Sequence, residues 1–289
     1  MDILLAEEAG FCFGVRRAVE MAEAATRAHD RVYCLGPLIH NPQAVARLES
    51  QGLVVCGPLA DVPADAVAMV RAHGADPAIY HQAAQRGLLL LDATCPFVAR
   101  VHQKAADYAA QGWQVLVLGD PDHPEAQGIV AHTGGQAAIV SRPEALEELT
   151  LRPRVAVVCQ TTQTLAALRA LVEALLPQVA ELVVANTICD ATVRRQAAAV
   201  AVARQVEVML VVGGHHSANT RRLAEVCTET GTPTHHVETA AELREEWLHG
   251  ARKVGVTAGA STAAEEIEAV VAWLRDMDAE REEGHAEEL

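Results

Sequence analysis

Three cysteines open three similar stretches of the chain: Cys12-Phe-Gly-Val-Arg-Arg, Cys95-Pro-Phe-Val-Ala-Arg and Cys189-Asp-Ala-Thr-Val-Arg-Arg. Twenty-four residues beyond each lie Gly36, Gly119 and Gly213, each ending an apolar run, and twenty-eight beyond lie His40, His123 and Ser217. Offsets shared by three sites mark three repeated structural units. Thiolates hold soft metals and clusters. Structural zinc takes four ligands with paired spacing such as C-x-x-C, which is absent here. A four-iron cubane usually takes four thiolates, so one cysteine per unit suggests a three-thiolate cubane with one iron open to act as a Lewis acid. The competing reading makes these cysteines small buried apolar residues. That reading is taken for Cys34, Cys56 and Cys227, which lack counterparts, and for Cys159 as a packed neighbour of a site loop.

The elements that would position these residues follow from the apolar pattern. Short β-branched runs, Val115–Leu118, Val155–Val158, Val206–Val212 and Lys253–Thr257, alternate with Ala-rich stretches of helical spacing such as Thr164–Leu176. Strand and helix in alternation predict parallel α/β units. The cysteines place the boundaries: a first module over 1–95 with the N-terminal strand and Cys12, a second over 96–188, a third over 189–278, and an acidic tail over 279–289. Ligands of open parallel sheets gather at the carboxyl ends of strands. Here those ends carry Gly36–Asn41, Arg71–Gly74, Gly119–Glu125, Cys159–Thr162, Gly213–Asn219 and Thr257–Ser261. The expected fold is α/β: three similar parallel modules in a threefold-like arrangement around a central iron–sulfur cluster.

Composition narrows the function. Aromatics make up only 3% of the 289 residues, so the core must be Ala, Val, Leu and Ile, as suits helices on parallel strands. A net charge of −15 disfavours nucleic acid as a partner. No uncharged apolar run reaches membrane-spanning length, and Met1–Glu7 lacks a basic region, so neither a span nor a signal peptide is expected. Seven cysteines without a dense framework point to a reducing, cytoplasmic setting.

Taken in order, Gly10-Phe-Cys-Phe-Gly-Val15, Ile39-His-Asn41, Ala72-His-Gly74, Asp92-Ala-Thr-Cys-Pro96, His123-Pro-Glu125, Gln160-Thr-Thr162, Thr187-Ile-Cys189, Ser217-x-Asn219 and Thr257-Ala-Gly-Ala-Ser261 resemble the 4-hydroxy-3-methylbut-2-enyl diphosphate reductase family, from residue 1 to about 275. The resemblance implies one [4Fe–4S] cluster per chain on Cys12, Cys95 and Cys189. It also implies two-electron removal of the substrate's 4-hydroxyl, with ferredoxin or flavodoxin as electron donor. By position, Glu125 falls on the proton-delivering place, and His40, His73, His123, Thr161, Ser217, Asn219 and Ser261 on substrate contacts.

The residue chemistry agrees. A diphosphate needs donors, which imidazole, hydroxyl and amide groups supply, and loss of a hydroxyl as water needs a proton, which Glu125 can carry. Read singly, the histidines could bond backbone, Glu125 could balance a helix dipole, and Ser217 could be a plain cap. Two places depart from the family: Ala218 where serine is common, and Ala263 where proline is usual. The rival readings are a hydro-lyase with an open-iron cluster and a non-catalytic metal-binding or electron-transfer protein.

Overall fold

The computed structural model describes residues 1–287, with the backbone alone for 280–287. The solvated character expected of the tail at 279–289 therefore falls almost wholly on side chains outside the described residues, although the last helix, Ala264–Glu287, runs on into it.

Three four-stranded sheets form, every pairing parallel. The first has the order β3 (Leu53–Cys56), β2 (Val32–Leu35), β4 (Val67–Val70), β5 (Leu89–Asp92). The second repeats it with β7 (Ala138–Val140), β6 (Gln114–Leu118), β8 (Arg154–Cys159) and β9 (Glu181–Val184). The third does so with β11 (Thr234–Val237), β10 (Val208–Val212), β12 (Lys253–Ala258) and β1 (Asp2–Leu5). The expected three similar parallel modules are thus present.

One expectation is corrected. The N-terminal strand was assigned to the first module, but β1 pairs with β12 in the third, Asp2 opposite Lys253 through Leu5 opposite Val256. In each sheet the fourth strand is the one that runs on to a cysteine: β5 to Cys95, β9 to Cys189, β1 to Cys12. After β12 the chain turns into the long final helix, so β12 would keep an open edge without β1. The Met1 amino group, bonded to Asp278 at 2.6 Å, fastens the returning strand to that helix.

Contacts along the backbone divide the chain into two compact units. One comprises residues 13–39 and 43–189, with the first two sheets; the other comprises 1–12, 40–42 and the chain from 190 onward, with the third. Apart from the opening Gln114, Arg154 and Lys253 and from Thr257, the central strands are apolar, as suits parallel sheets with helices on both faces. In the third sheet Leu210, Val212, Val254 and Val256 pack on Val270 and Leu274 of the last helix. On the other face Met209 and Val211 meet Ala199, Ala203, Leu223 and Cys227. Helices Phe13–Ala28, Pro96–Ala110 and Asp190–Ala203 each begin directly after one of the three cysteines. In the first of them Gly14, Ala18, Ala22 and Ala25 form the buried stripe that helical spacing requires.

Candidate functional site

The seven cysteines sort by environment. All are free thiols. Burial pushes Cys34 and Cys227 up to about 12 and Cys159 to about 11, and also raises Cys56. Cys34, Cys159 and Cys227 are buried and behave as packed neutral thiols, whereas Cys56 is half-buried, as are Cys12, Cys95 and Cys189.

Each of those three is anchored by the same device. The Cys95 N–H donates to the Ala72 carbonyl at 2.9 Å, the Cys189 N–H to that of Thr161 at 3.0 Å, and the Cys12 N–H to that of Ala260 at 3.0 Å. Ala72, Thr161 and Ala260 each lie two residues past a third-position strand, β4, β8 and β12. Each cysteine therefore sits with its backbone tied to a strand-end loop and the positive end of a helix behind it, where negative charge is favoured.

The surroundings fit a cluster. Beside Cys95, a Cβ added to Gly14 would lie 2.5 Å from the Cys95 Sγ and 3.2 Å from its Cβ. A bare backbone there preserves space around a thiol that already meets helix and strand end. Cys95 and Cys189 in one compact unit, and Cys12 in the other, each offer a free thiol, the ligand type that iron–sulfur clusters take.

Glu125 lies on the first turn of helix Pro124–His132 with 2% of its surface exposed. Its carboxylate accepts the Thr161 N–H at 2.6 Å and the Thr161 hydroxyl at 2.9 Å. Burial raises its pKa to about 7, against the lowering effect of those two bonds, with a smaller upward push from Asp120. Burial thus favours the protonated carboxyl, the condition for a general acid. The Glu125 N–H donates to Nδ1 of His123 at 3.1 Å, which puts the ring's proton on Nε2. The His123 ring meets His73 edge to face, centroids 5.4 Å apart.

Asn219 occupies the place of Glu125 in the third module. It too lies two residues beyond the position at the shared offset of twenty-eight, here Ser217, and its Oδ1 accepts the Ala260 N–H at 2.9 Å. Asn219 is 4% exposed, and its Nδ2 is buried without an acceptor among the described residues. A buried amide donor left open is expected where a ligand's oxygen completes the bond. Ser217 caps helix Ala218–Thr228, its Oγ accepting the Thr220 N–H at 3.3 Å. Ser261 donates its hydroxyl to the His40 carbonyl at 3.1 Å, while Asn41 Nδ2 reaches the Ser261 carbonyl at 2.8 Å. A Cβ on Gly214 would come within 2.8 Å of the His40 carbonyl oxygen, so that loop passes close only because residue 214 is bare.

The family model described as LytB protein matches residues 3–275. The chain belongs to the LytB protein family. Curated relatives named 4-hydroxy-3-methylbut-2-enyl diphosphate reductase include those of Geobacter metallireducens and Geobacter sulfurreducens. Each is 44% identical over 278 residues, covering 96% of this chain and 98% of the relative. Among solved structures, the E-1-hydroxy-2-methyl-but-2-enyl-4-diphosphate reductase of Plasmodium falciparum is similar, with a TM-score of 0.89 at 27% identity over 94% of this chain and 87% of that one. Another, titled (E)-4-hydroxy-3-methyl-but-2-enyl diphosphate reductase, the terminal enzyme of the non-mevalonate pathway, covers 96% of this chain and 100% of that one at 38% identity and a TM-score of 0.68.

Within this LytB chain, sequence reading missed one residue of weight. His102, on helix Pro96–Ala110, is 4% exposed, and burial beside His132 lowers its pKa to about 3. Its ring stacks on His132 at 4.0 Å. Two glycines make room for it: a Cβ on Gly74 would lie 2.5 Å from Cε1, and one on Gly128 would lie 3.3 Å from Nε2. Gly74 follows His73, and Gly128 is one turn along from Glu125. His102 thus wedges the helix that starts at Cys95 against both the His73 loop and the Glu125 helix. The signal available in sequence was Gly128, a glycine inside helix Pro124–His132.

Three further histidines, His215, His235 and His236, have protein partners. His215 meets Glu242 at 3.0 Å, His236 the Gly213 carbonyl at 2.8 Å, and His235 stacks on Trp247 at 4.1 Å. Arg194 pairs with Glu8 at 2.9 Å.

Proposed function

We propose that this chain removes the 4-hydroxyl of 4-hydroxy-3-methylbut-2-enyl diphosphate reductively, giving isopentenyl and dimethylallyl diphosphates. The observation that carries the reading is Glu125, a buried carboxyl held by Thr161 with a pKa near 7. The reaction breaks one C–O bond and consumes two electrons and two protons, one proton leaving in water and one ending on carbon. Glu125 supplies the proton to the departing oxygen, and the Thr161 hydroxyl, bonded to the same carboxylate, orients it. A [4Fe–4S] cluster on Cys12, Cys95 and Cys189 would supply Lewis-acid and one-electron chemistry when bound.

The diphosphate would be held by donors rather than by a basic surface: His40, His73, His123, Ser217, Asn219 and Ser261, with Thr161 toward the hydroxyl end. Imidazole N–H, hydroxyl and amide groups give many short bonds to phosphate oxygen without a field that a protein of net charge −15 would oppose. Electrons would come from a ferredoxin or flavodoxin in the cytoplasm. Among the described residues no helix is long and apolar enough to cross a membrane.

The test is anaerobic. Protein reconstituted with iron and sulfide should hold about four irons per chain and turn over only with a reduced one-electron carrier. Turnover without reductant would make it a hydro-lyase, and no turnover with intact metal would make it a carrier or binding protein.

A further inference from the structure

A second pocket lies at the carboxyl ends of β2, β3 and β4 in the first sheet, with a volume of about 190 Å³. Its walls are largely apolar, from Leu35, Leu59, Val70 and Ile79, and one cation, Arg71, faces in among them. Arg71 is half-buried, and its guanidinium lies against the left-handed turn at Gly36. A Cβ there would meet Nη1 at 2.9 Å. Among the described residues Arg71 forms no ion pair.

The neighbouring groups do not neutralise it. Cys34 interacts with it electrostatically but is held as the neutral thiol, and Cys56 is shifted the same way. Asp76 lines the pocket, yet its Oδ1 accepts the Ala78 N–H at 2.8 Å as the cap of helix Pro77–Gln85. Asp61 lies beside Gly57 and Cys56 and pairs with no arginine among the described residues. A guanidinium drawn partly out of water without an anion carries a standing penalty that a bound oxyanion would relieve. Strand carboxyl ends are also where parallel sheets bind ligands.

We infer that this pocket binds a small amphipathic anion, an oxyanion head group paired with Arg71 and a short hydrocarbon chain packed on Leu35, Leu59, Val70 and Ile79. The volume has room for about six waters at ~30 Å³ each, which suits a chain of a few carbons and excludes a nucleotide. The planar guanidinium fork matches both phosphate and carboxylate heads. The site is independent of the proposed reaction and uses none of its residues.

Calorimetric titration of the whole protein with n-pentyl phosphate, n-pentanoate and inorganic phosphate tests this and distinguishes the head group. Binding of at least one pentyl probe, tighter than inorganic phosphate, is expected. Arg71→Gln should weaken it about tenfold to a hundredfold, the worth of a charge-assisted bond. Ile79→Phe, which fills the apolar wall, should abolish it, while Asn219→Ala should leave it unchanged. If Arg71→Gln does not fold, Arg71→Lys, with charge but no fork, should bind with intermediate affinity. No binding of any probe at millimolar concentration, unchanged affinity in the folded arginine variant, or loss of binding in Asn219→Ala would overturn the assignment.

Discussion

Thr161 joins Glu125 to Cys189: its N–H and hydroxyl both donate to the Glu125 carboxylate, and its carbonyl accepts the Cys189 N–H. One residue thus sets the position of a buried acid and of a half-buried thiol. In the third module Ala260 repeats the arrangement with Asn219 and Cys12. In the first, Pro42 stands where the acid or amide would be, and the Ala72 N–H turns instead to the Leu38 carbonyl.

Replacing Glu125 by Gln should separate fold from chemistry. Its pKa is raised from the ordinary 4.5 of a solvated carboxyl to about 7, so the folded state favours the protonated form. The resulting penalty is absent below pH 4.5, grows as pH rises through 7, and is constant above, at roughly 3 kcal/mol. Glu125→Gln should flatten this fall, gaining stability over the parent at pH 8 but not at pH 4. Turnover should drop about 10²–10⁴-fold. Thermal unfolding at the two pH values with steady-state rates checks both, and an unchanged pH slope would move the titrating group elsewhere.

Iron content should depend on position, not on the number of thiols. Serine at Cys12, Cys95 or Cys189 should cut the iron retained after anaerobic reconstitution, whereas serine at Cys34 or Cys227 should not. Gly14→Ala should mimic the Cys95 variant in part, because the new Cβ falls 2.5 Å from Sγ. Iron and labile-sulfide assays decide this, and full loading of Cys95→Ser would refute the ligand set.

Asn219 offers a charge test of the proposed diphosphate cradle. Asn219→Asp keeps the acceptor for the Ala260 N–H but exchanges the open donor for a negative charge. Affinity for inorganic diphosphate should fall more than tenfold while the melting temperature shifts little, since one charge-assisted bond is worth about 1.5–3 kcal/mol. Asn219→Ala should lose affinity and stability together. Equal diphosphate binding by parent and Asn219→Asp would place the cradle elsewhere.

The wedge at His102 predicts a coupling energy. Gly74→Ala adds a contact at 2.5 Å to the ring and strains a backbone at φ +81, so it should cost about 2 kcal/mol or more. In a His102→Ala background the contact vanishes and the strain alone remains. Denaturation of the two single variants and the double variant should show the costs as less than additive. Simple additivity would mean the ring does not press on that turn.

Much of this protein is legible along the chain. The cysteines, the recurring offsets and the β-branched runs between Ala-rich helices are local patterns, and local patterns survive without coordinates. They determine three parallel modules and the residue types offered at the strand ends. Tertiary structure alone decides that β1 closes the third sheet, since parallel pairing is non-local and any open apolar edge could in principle receive it. It alone decides that Glu125 meets Thr161 and Asn219 meets Ala260, bonds spanning 36 and 41 residues. The same holds for the pKa of Glu125 and the seat of His102. Burial raises the one and two bare glycines make the other, and burial is a property of what packs around a residue rather than of its neighbours in sequence.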